Sequence, residues 1–182
     1  VDVLVNYTAG IGDNRSEHVE KDGTTILRGP QYFPLRPEFR TVDCPAPTLP
    51  PQRVFLMFGG SDPRGLTKRA LESLDIEWDR ITAVVGPGNS DVEAIRRLAT
   101  DRETITLCRE IDDVAAKMAG HDLVLTSPGA STFEALSLGR PTLAFSQNEF
   151  QKRAYADVSF AYGRESLDHL PRLIAGISGE RY

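Results

Sequence analysis

Three short stretches concentrate glycine, serine and asparagine directly after apolar runs. They are Gly59-Gly60-Ser61-Asp62-Pro63-Arg64-Gly65, Gly86-Pro87-Gly88-Asn89-Ser90 and Ser127-Pro128-Gly129-Ala130-Ser131-Thr132-Phe133-Glu134. Residues of this kind can hold an anion without basic side chains. Glycine lets the backbone turn tightly and approach a ligand closely. Small residues at a helix start leave first-turn amides facing outward, where the helix dipole adds positive potential. In the first stretch Ser61 can donate to a phosphate oxygen. In the third, Glu134 falls about one turn into the following helix, where its carboxylate can accept hydrogen bonds from two adjacent ribose hydroxyls. Each stretch also has a structural alternative. Ser61 or Asp62 can cap one helix, and Asn89 or Ser90 the next. Ser131 and Glu134 have the S-x-x-E spacing of a capping box. The first and third stretches fit both readings, and the second fits the structural one better.

The other reactive residue types are scattered. Neither the dinucleotide fingerprint GxGxxG nor the P-loop GxxxxGK[ST] occurs, which weakens NAD and ATP readings. Cys44 and Cys108 are the only cysteines and stand far apart, so two free thiols in a reducing, cytoplasmic compartment are expected. His18, His121 and His169 form no zinc-binding pattern, and no metal or cofactor is expected. His121, just ahead of an apolar run, reads as a structural or surface residue; His18 and His169 read as solvated. Asp112-Asp113 read as negative charge at a helix start rather than an acid–base pair. Arg109 reads as a solubilising residue, and Tyr155 and Phe160 as core.

The elements that must position these loops follow from periodicity. Apolar runs VFLMF (54–58), ITAVV (81–85), TITLC (104–108), DLVLT (122–126) and PTLAF (141–145) are too short for buried helices. They have the length of strands covered on both faces. Between them apolar residues recur at helical spacing: Leu66, Ala70, Leu71 and Leu74; Val92, Ile95, Leu98 and Ala99; then Val114, Ala115, Met118 and Ala119. A helix is also expected near 150–158 and another starting near Pro171, with a short run FAYG between them. Five strands alternating with helices predict an α/β fold, a Rossmann-like parallel sheet with helices on both faces. Ligands of such sheets sit beyond the carboxyl ends of the strands, where the three Gly/Ser stretches fall.

The 182 residues are enough for one such domain and some additional chain. The net charge of −5, without any run of Lys or Arg, argues against a nucleic-acid or anionic-membrane surface. No apolar run approaches the length of a membrane span. Residues 1–6 alternate as a strand, residues 7–24 read as a loop, and a short strand and a Gly-Pro turn follow. Residues 41–52 carry four prolines and read as a connector. Val1 opens inside a strand-like run without an initiator Met, so the chain reads as part of something longer.

The stretches LRGPQYFPLRPEF, VFLMFGGSDPRGLT, AVVGPGN, DLVLTSPGASTFEALSLGRPTLAF and NEFQKRAYAD together resemble the C-terminal half of GT-B nucleotide-sugar enzymes. The resemblance is greatest to the group of PseG, the UDP-sugar hydrolases of pseudaminic acid biosynthesis, and SpsG, the spore coat polysaccharide proteins. MurG-like glycosyltransferases share the plan more distantly. The resemblance implies a UDP-sugar ligand and a hydrolase or glycosyltransferase activity. It implies that Gly60 and Ser61 approach the diphosphate and that Gly129, Ala130 and Ser131 present amides to it. Ile111 would offer its backbone to uracil, Glu134 would bind the ribose, and Asn148 and Gln151 would face the sugar. Where the family commonly has Asn-Gln, this chain has Phe150-Gln151. The family's N-terminal domain, with a Gly-rich loop and a His that acts on substrate, has no counterpart here. Residues 1–42 are therefore expected to be the tail of that domain and its crossing, 43–52 the connector, and 53–182 the nucleotide-sugar-binding domain. No catalytic residue is expected within the chain, which would bind a nucleotide without turning over substrate alone. A competing expectation is a non-catalytic assembly module whose Gly/Ser loops are only turns and caps.

Overall fold

A computed structural model describes residues 2–8, 18–21, 23–74, 78–155 and 167–177, with the backbone alone for 18–21. The first part of the chain forms a small mixed sheet. Its strands are β1 (Val3–Asn6), β2 (His18–Lys21) and β3 (Thr24–Arg28), in the order β1-β3-β2. β3 pairs parallel with β1 and antiparallel with β2. Residues 18–21 were expected in a loop. They lie among polar neighbours with no clear alternation, and it is the edge of β3 that organises them, as context routinely does for strands. A 3₁₀ turn (Pro30–Tyr32) and α1 (Glu38–Thr41) follow, then the Pro-rich arm, which has no regular structure.

The second part is the expected alternation. It runs β4 (Arg53–Met57), α2 (Leu66–Ser73), β5 (Arg80–Val84), α3 (Val92–Asp101), β6 (Ile105–Cys108) and α4 (Val114–Ala119). It continues with β7 (Leu123–Thr126), α5 (Ala130–Ser137), β8 (Thr142–Ala144), α6 (Glu149–Ala154), a 3₁₀ turn (Leu167–His169) and α7 (Leu170–Ala175). Pro171 sits in the first two positions of α7, where its missing N–H costs no helical bond. Phe160 and the FAYG run lie outside the described residues. The five strands are parallel throughout, in the order β6-β5-β4-β7-β8.

Successive residues of β4 point to opposite faces and so divide the core in two. Val54, Leu56 and Phe58 pack with Leu66 and Leu71 of α2, Ile95 of α3 and Leu170 of α7. Phe55 packs on the other face with Met118 of α4, Ala135 of α5 and Phe39 of α1. A third cluster joins the two parts of the chain. Phe33 stacks on Phe133 at 4.7 Å, Tyr7 meets both edge-on, and Tyr155 lies 6.0 Å from Phe133. Burial pushes the Tyr155 phenol up to about 12, aided by Tyr7. His121 is structural, one of its two expected roles: its Nδ1 meets the Lys117 carbonyl at 2.7 Å and its Nε2 the Thr82 hydroxyl at 2.9 Å. Burial holds the ring below its ordinary pKa, against the Lys117 carbonyl. Asp113 caps α4 by accepting from the Ala116 amide, which is the helix-start role expected for it.

Asp122, fully buried, fastens the arm to the sheet. Its carboxylate accepts from the amides of Thr48, Gln52 and Arg53 and from the Arg53 guanidinium at 2.8 and 3.1 Å. Burial alone would raise its pKa, but Arg53 and the three amides outweigh it and pull the group from 3.8 to about 2. A depressed carboxyl contributes stability above its unfolded value, and that contribution disappears as pH falls through the folded one. At 1.36 kcal/mol per unit the contribution is about 2 kcal/mol. Urea unfolding of the wild type should therefore lose about that much between pH 4 and 2. Asp122→Ala should cost about 3 kcal/mol at pH 7 and flatten that acid limb, and an unchanged limb in the variant would remove Asp122 as its source.

Candidate functional site

The chain passes from β4 outward through β5 and β6, then returns to the other side of β4 for β7 and β8. The loops after β4 and β7 therefore diverge, and an open parallel sheet has its ligand crevice at such a switch point. A cleft of about 350 Å³ lies there. Gly60, Ser61, Gly129, Ala130, Ser131, Asn148 and Gln151 all border it. Glu134 and Ile111 do not. No Lys or Arg borders it, and among the described residues no group of three His, Cys, Asp or Glu side chains could hold a metal.

The first loop divides its labour. Asp62 is buried at φ 43°, in the left-handed region, and turns its carboxylate inward. It accepts from the amides of Leu66 at 2.9 Å and Thr67 at 2.8 Å, capping α2 from four and five residues away. Ser61 is thereby left at the cleft. The second loop is structural. A Cβ on Gly86 would lie 2.4 Å from Gly60 Cα, and the Gly88 amide donates to the Gly60 carbonyl at 2.9 Å. Asn89 accepts from the Asp91 amide at 2.8 Å, ahead of α3.

The third loop departs from one expectation. The capping box of Ser131 and Glu134 is not formed, because α5 starts at Ala130 with Gly129 as N-cap and no side-chain cap bond. Ser131 lies inside the first turn, so the amides of Ala130 and Ser131 have no intrahelical acceptor. The Ser127 hydroxyl, at the cleft wall, has no partner among the described residues. Glu134 is instead drawn to the segment ahead of α1: Arg36 Nε donates to its Oε1 at 2.7 Å, and the carboxylate side chain is 3% exposed. Arg36 also reaches Glu38 at 3.1 Å and lies 4.9 Å from the Phe39 ring centre. The hydrogen bond to Glu134 raises the Arg36 pKa against the effect of burial. Nothing in the sequence singles out Arg36, which stands 98 residues from its partner.

The far wall is a chain of amide side chains. Gln147 donates to the Asp62 carboxylate at 2.7 Å and to the Phe58 carbonyl at 3.1 Å. Its own amide donates to Gln151 Oε1 at 2.7 Å, and Asn148 Oδ1 caps α6 through the Gln151 amide at 2.9 Å. The side-chain oxygens of Asn148 and Gln151 are thus engaged, and among the described residues their NH₂ groups have no hydrogen-bond partner. Sequence reasoning missed Gln147, because only the folded chain brings it to Asp62. Ile111 borders a separate groove of about 510 Å³ with Cys108 and Asp113, at the start of α4. α4 packs beside α5, the helix that carries Glu134. Arg109 is exposed and lies in neither wall.

The glycines separate floor from packing. Gly86→Ala should destabilise the fold by about 1–3 kcal/mol, because the Gly60 backbone must shift. Gly60→Ala meets nothing within 4 Å and should stay within about 0.5 kcal/mol of wild type. Equal losses in chemical denaturation would contradict this packing.

No family model matches the chain. It is 34% identical over 167 residues to MJ1062, an uncharacterized protein of Methanocaldococcus jannaschii, covering 86% of this chain and 34% of that protein. It is 29% identical over 152 residues to SpsG of Bacillus subtilis, a spore coat polysaccharide biosynthesis protein, covering 77% of this chain and 43% of that one. The crystal structure of Acinetobacter baumannii MurG superposes with a TM-score of 0.52 at 20% identity, over 76% of this chain and 43% of that one. This chain therefore spans well under half the length of the curated relatives it matches. With the switch-point cleft and the strand order, these likenesses give the chain a GT-B-type α/β fold and a sequence similarity to SpsG.

Proposed function

We propose that the cleft holds the diphosphate of a UDP-sugar, and that the chain is the nucleotide-sugar-binding part of a polysaccharide or nonulosonic-acid biosynthesis protein. The observation that carries the reading is the juxtaposition of Gly60 and Ser61 with the amide-bearing start of α5 across one cleft. Backbone amides and a helix dipole suit a diphosphate, and no fixed cation is needed there. A path for the rest of the nucleotide leads away from this point. Glu134 lies one turn down α5, with Oε1 engaged by Arg36 and Oε2 the oxygen left for a ribose hydroxyl. The Ile111 groove beside α4 would take the uracil, and Asn148 and Gln151 the sugar. Residues 1–42 would belong to a preceding domain and its crossing, 43–52 to the connector, and 53–182 to the binding domain. The whole protein would hydrolyse or transfer at the anomeric carbon, using groups outside this chain.

One observation favours the second reading, an assembly module with structural loops. Asp62, Asn148 and Gln151 all spend acceptors on the fold itself. Calorimetric titration separates the two. On the nucleotide reading UDP binds in the micromolar to millimolar range and better than ADP. Gly60→Ala and Glu134→Gln should each weaken UDP at least about tenfold, or 1.4 kcal/mol, while the unfolding midpoint of Gly60→Ala stays put. Absence of binding by UDP and UDP-N-acetylhexosamine to the chain, both alone and within the longer protein, would leave the assembly reading.

A further inference from the structure

Arg140 occupies the turn between α5 and β8, just after Gly139 at φ +63°. Its side chain is 2% exposed and runs under the Pro-rich arm. There Nη2 donates to the Pro45 carbonyl and contacts the Cys44 sulfur. Nε and Nη1 are buried and find no partner, and among the described residues no carboxylate pairs with the group. Of the buried carboxylates discussed above, Asp122 pairs with Arg53 and Glu134 with Arg36, and Asp62 is met by backbone and side-chain amides. A buried guanidinium without a counter-charge is costly and draws negative charge to whatever it touches. The nucleophilic atom in contact with this group is the Cys44 sulfur.

Cys44 is placed to use it. The residue is part-exposed, and the Sγ–H donates to the Leu138 carbonyl at 3.2 Å, which leaves the sulfur lone pairs toward Arg140. Cys108 is also part-exposed, in different surroundings. It opens onto a groove with three carboxylates, Glu110, Asp112 and Asp113, and one cation, Lys117, a balance that opposes charge on its sulfur. Reactive cysteines are those in part-exposed, electropositive settings.

We propose that Cys44 is a reactive thiol, a site of modification by peroxides and soft electrophiles, activated by the buried Arg140. With a peroxide, the sulfur attacks one oxygen and the O–O bond breaks. The leaving hydroxide takes the thiol proton, giving sulfenic acid and water; sulfur is oxidised by two electrons and the peroxide reduced by two. The new oxygen is a hydrogen-bond acceptor beside the guanidinium whose Nη2 contacts the sulfur. With iodoacetamide, an S–C bond forms, iodide leaves and the thiol proton passes to solvent. In both, the guanidinium stabilises charge on sulfur as it attacks. None of this depends on nucleotide binding.

The test is the rate of iodoacetamide labelling at each cysteine in the intact chain, read by peptide mass spectrometry, with the urea-unfolded chain as reference. Cys44 should react on the order of tenfold faster than Cys108 when folded and at a similar rate when unfolded. Arg140→Met should remove most of that advantage, and Arg140→Lys should keep part of it. A folded-state rate at Cys44 no greater than at Cys108, or one unaffected by Arg140→Met, would overturn the proposal. Should circular dichroism show Arg140→Met unfolded, Cys108→Ser exposed to equimolar hydrogen peroxide and dimedone decides. A Cys44 adduct that disappears in urea supports the proposal, and no adduct overturns it.

Discussion

The site rests on the carboxylate of Asp62. It lies beneath the loop after β4 and draws together three segments that are distant in sequence. The first is the start of α2, through Leu66 and Thr67. The others are the loops after β5 and β8, through Asn89 at 3.5 Å and Gln147 at 2.7 Å. A buried carboxylate must find such donors or bear a large desolvation cost. Its demand for hydrogen bonds is what holds these loops in register. The left-handed backbone at Asp62 is part of the same arrangement, since it turns the carboxylate inward and leaves Gly60 and Ser61 at the surface of the cleft.

A second set of polar contacts fixes the arm against the domain. Asp122 receives the arm's amides at the amino end of β7, Arg140 grips it at Pro45, and Arg36 ties the segment that leads into α1 and the arm to Glu134 on α5. Prolines cannot join a sheet or a helix ladder, so an arm rich in them has carbonyls and amides to satisfy by other means. The buried side chains of Asp122 and Arg140 meet that need. Because α5 begins at the cleft and the turn that follows it carries Arg140, the arm and the cleft are joined through one helix.

The electrostatics of the cleft are those of dipoles rather than ions. The chain is acidic overall, with a formal charge of −5, and the cleft has no Lys or Arg in its walls. The potential that would attract an anion comes from the Ala130 and Ser131 amides at the end of a helix, a source that needs no side chain. Two cations near this site are committed elsewhere: Arg36 neutralises Glu134, and Arg64 donates to the Ser146 carbonyl.

By itself the sequence determined the fold class and the walls of the cleft. Five short apolar runs separated by helical spacing permit little but a parallel sheet, and the Gly/Ser stretches had to fall at its carboxyl edge. Gly60, Ser61 and Gly129 were legible for that reason. What the tertiary structure decided were the partners. The local spacing of Ser131 and Glu134 fits a capping box, yet Glu134 belongs to Arg36; Gln147 carries no local signal, yet it ties Asp62 to the far wall; residues 18–21 read as loop, yet they pair with β3. Periodicity reports which face of an element is buried, because burial repeats along the chain. It cannot report which charged or amide side chain meets which, because those contacts span 98 residues for Arg36 and Glu134 and 85 for Asp62 and Gln147, and only the closed fold brings them together.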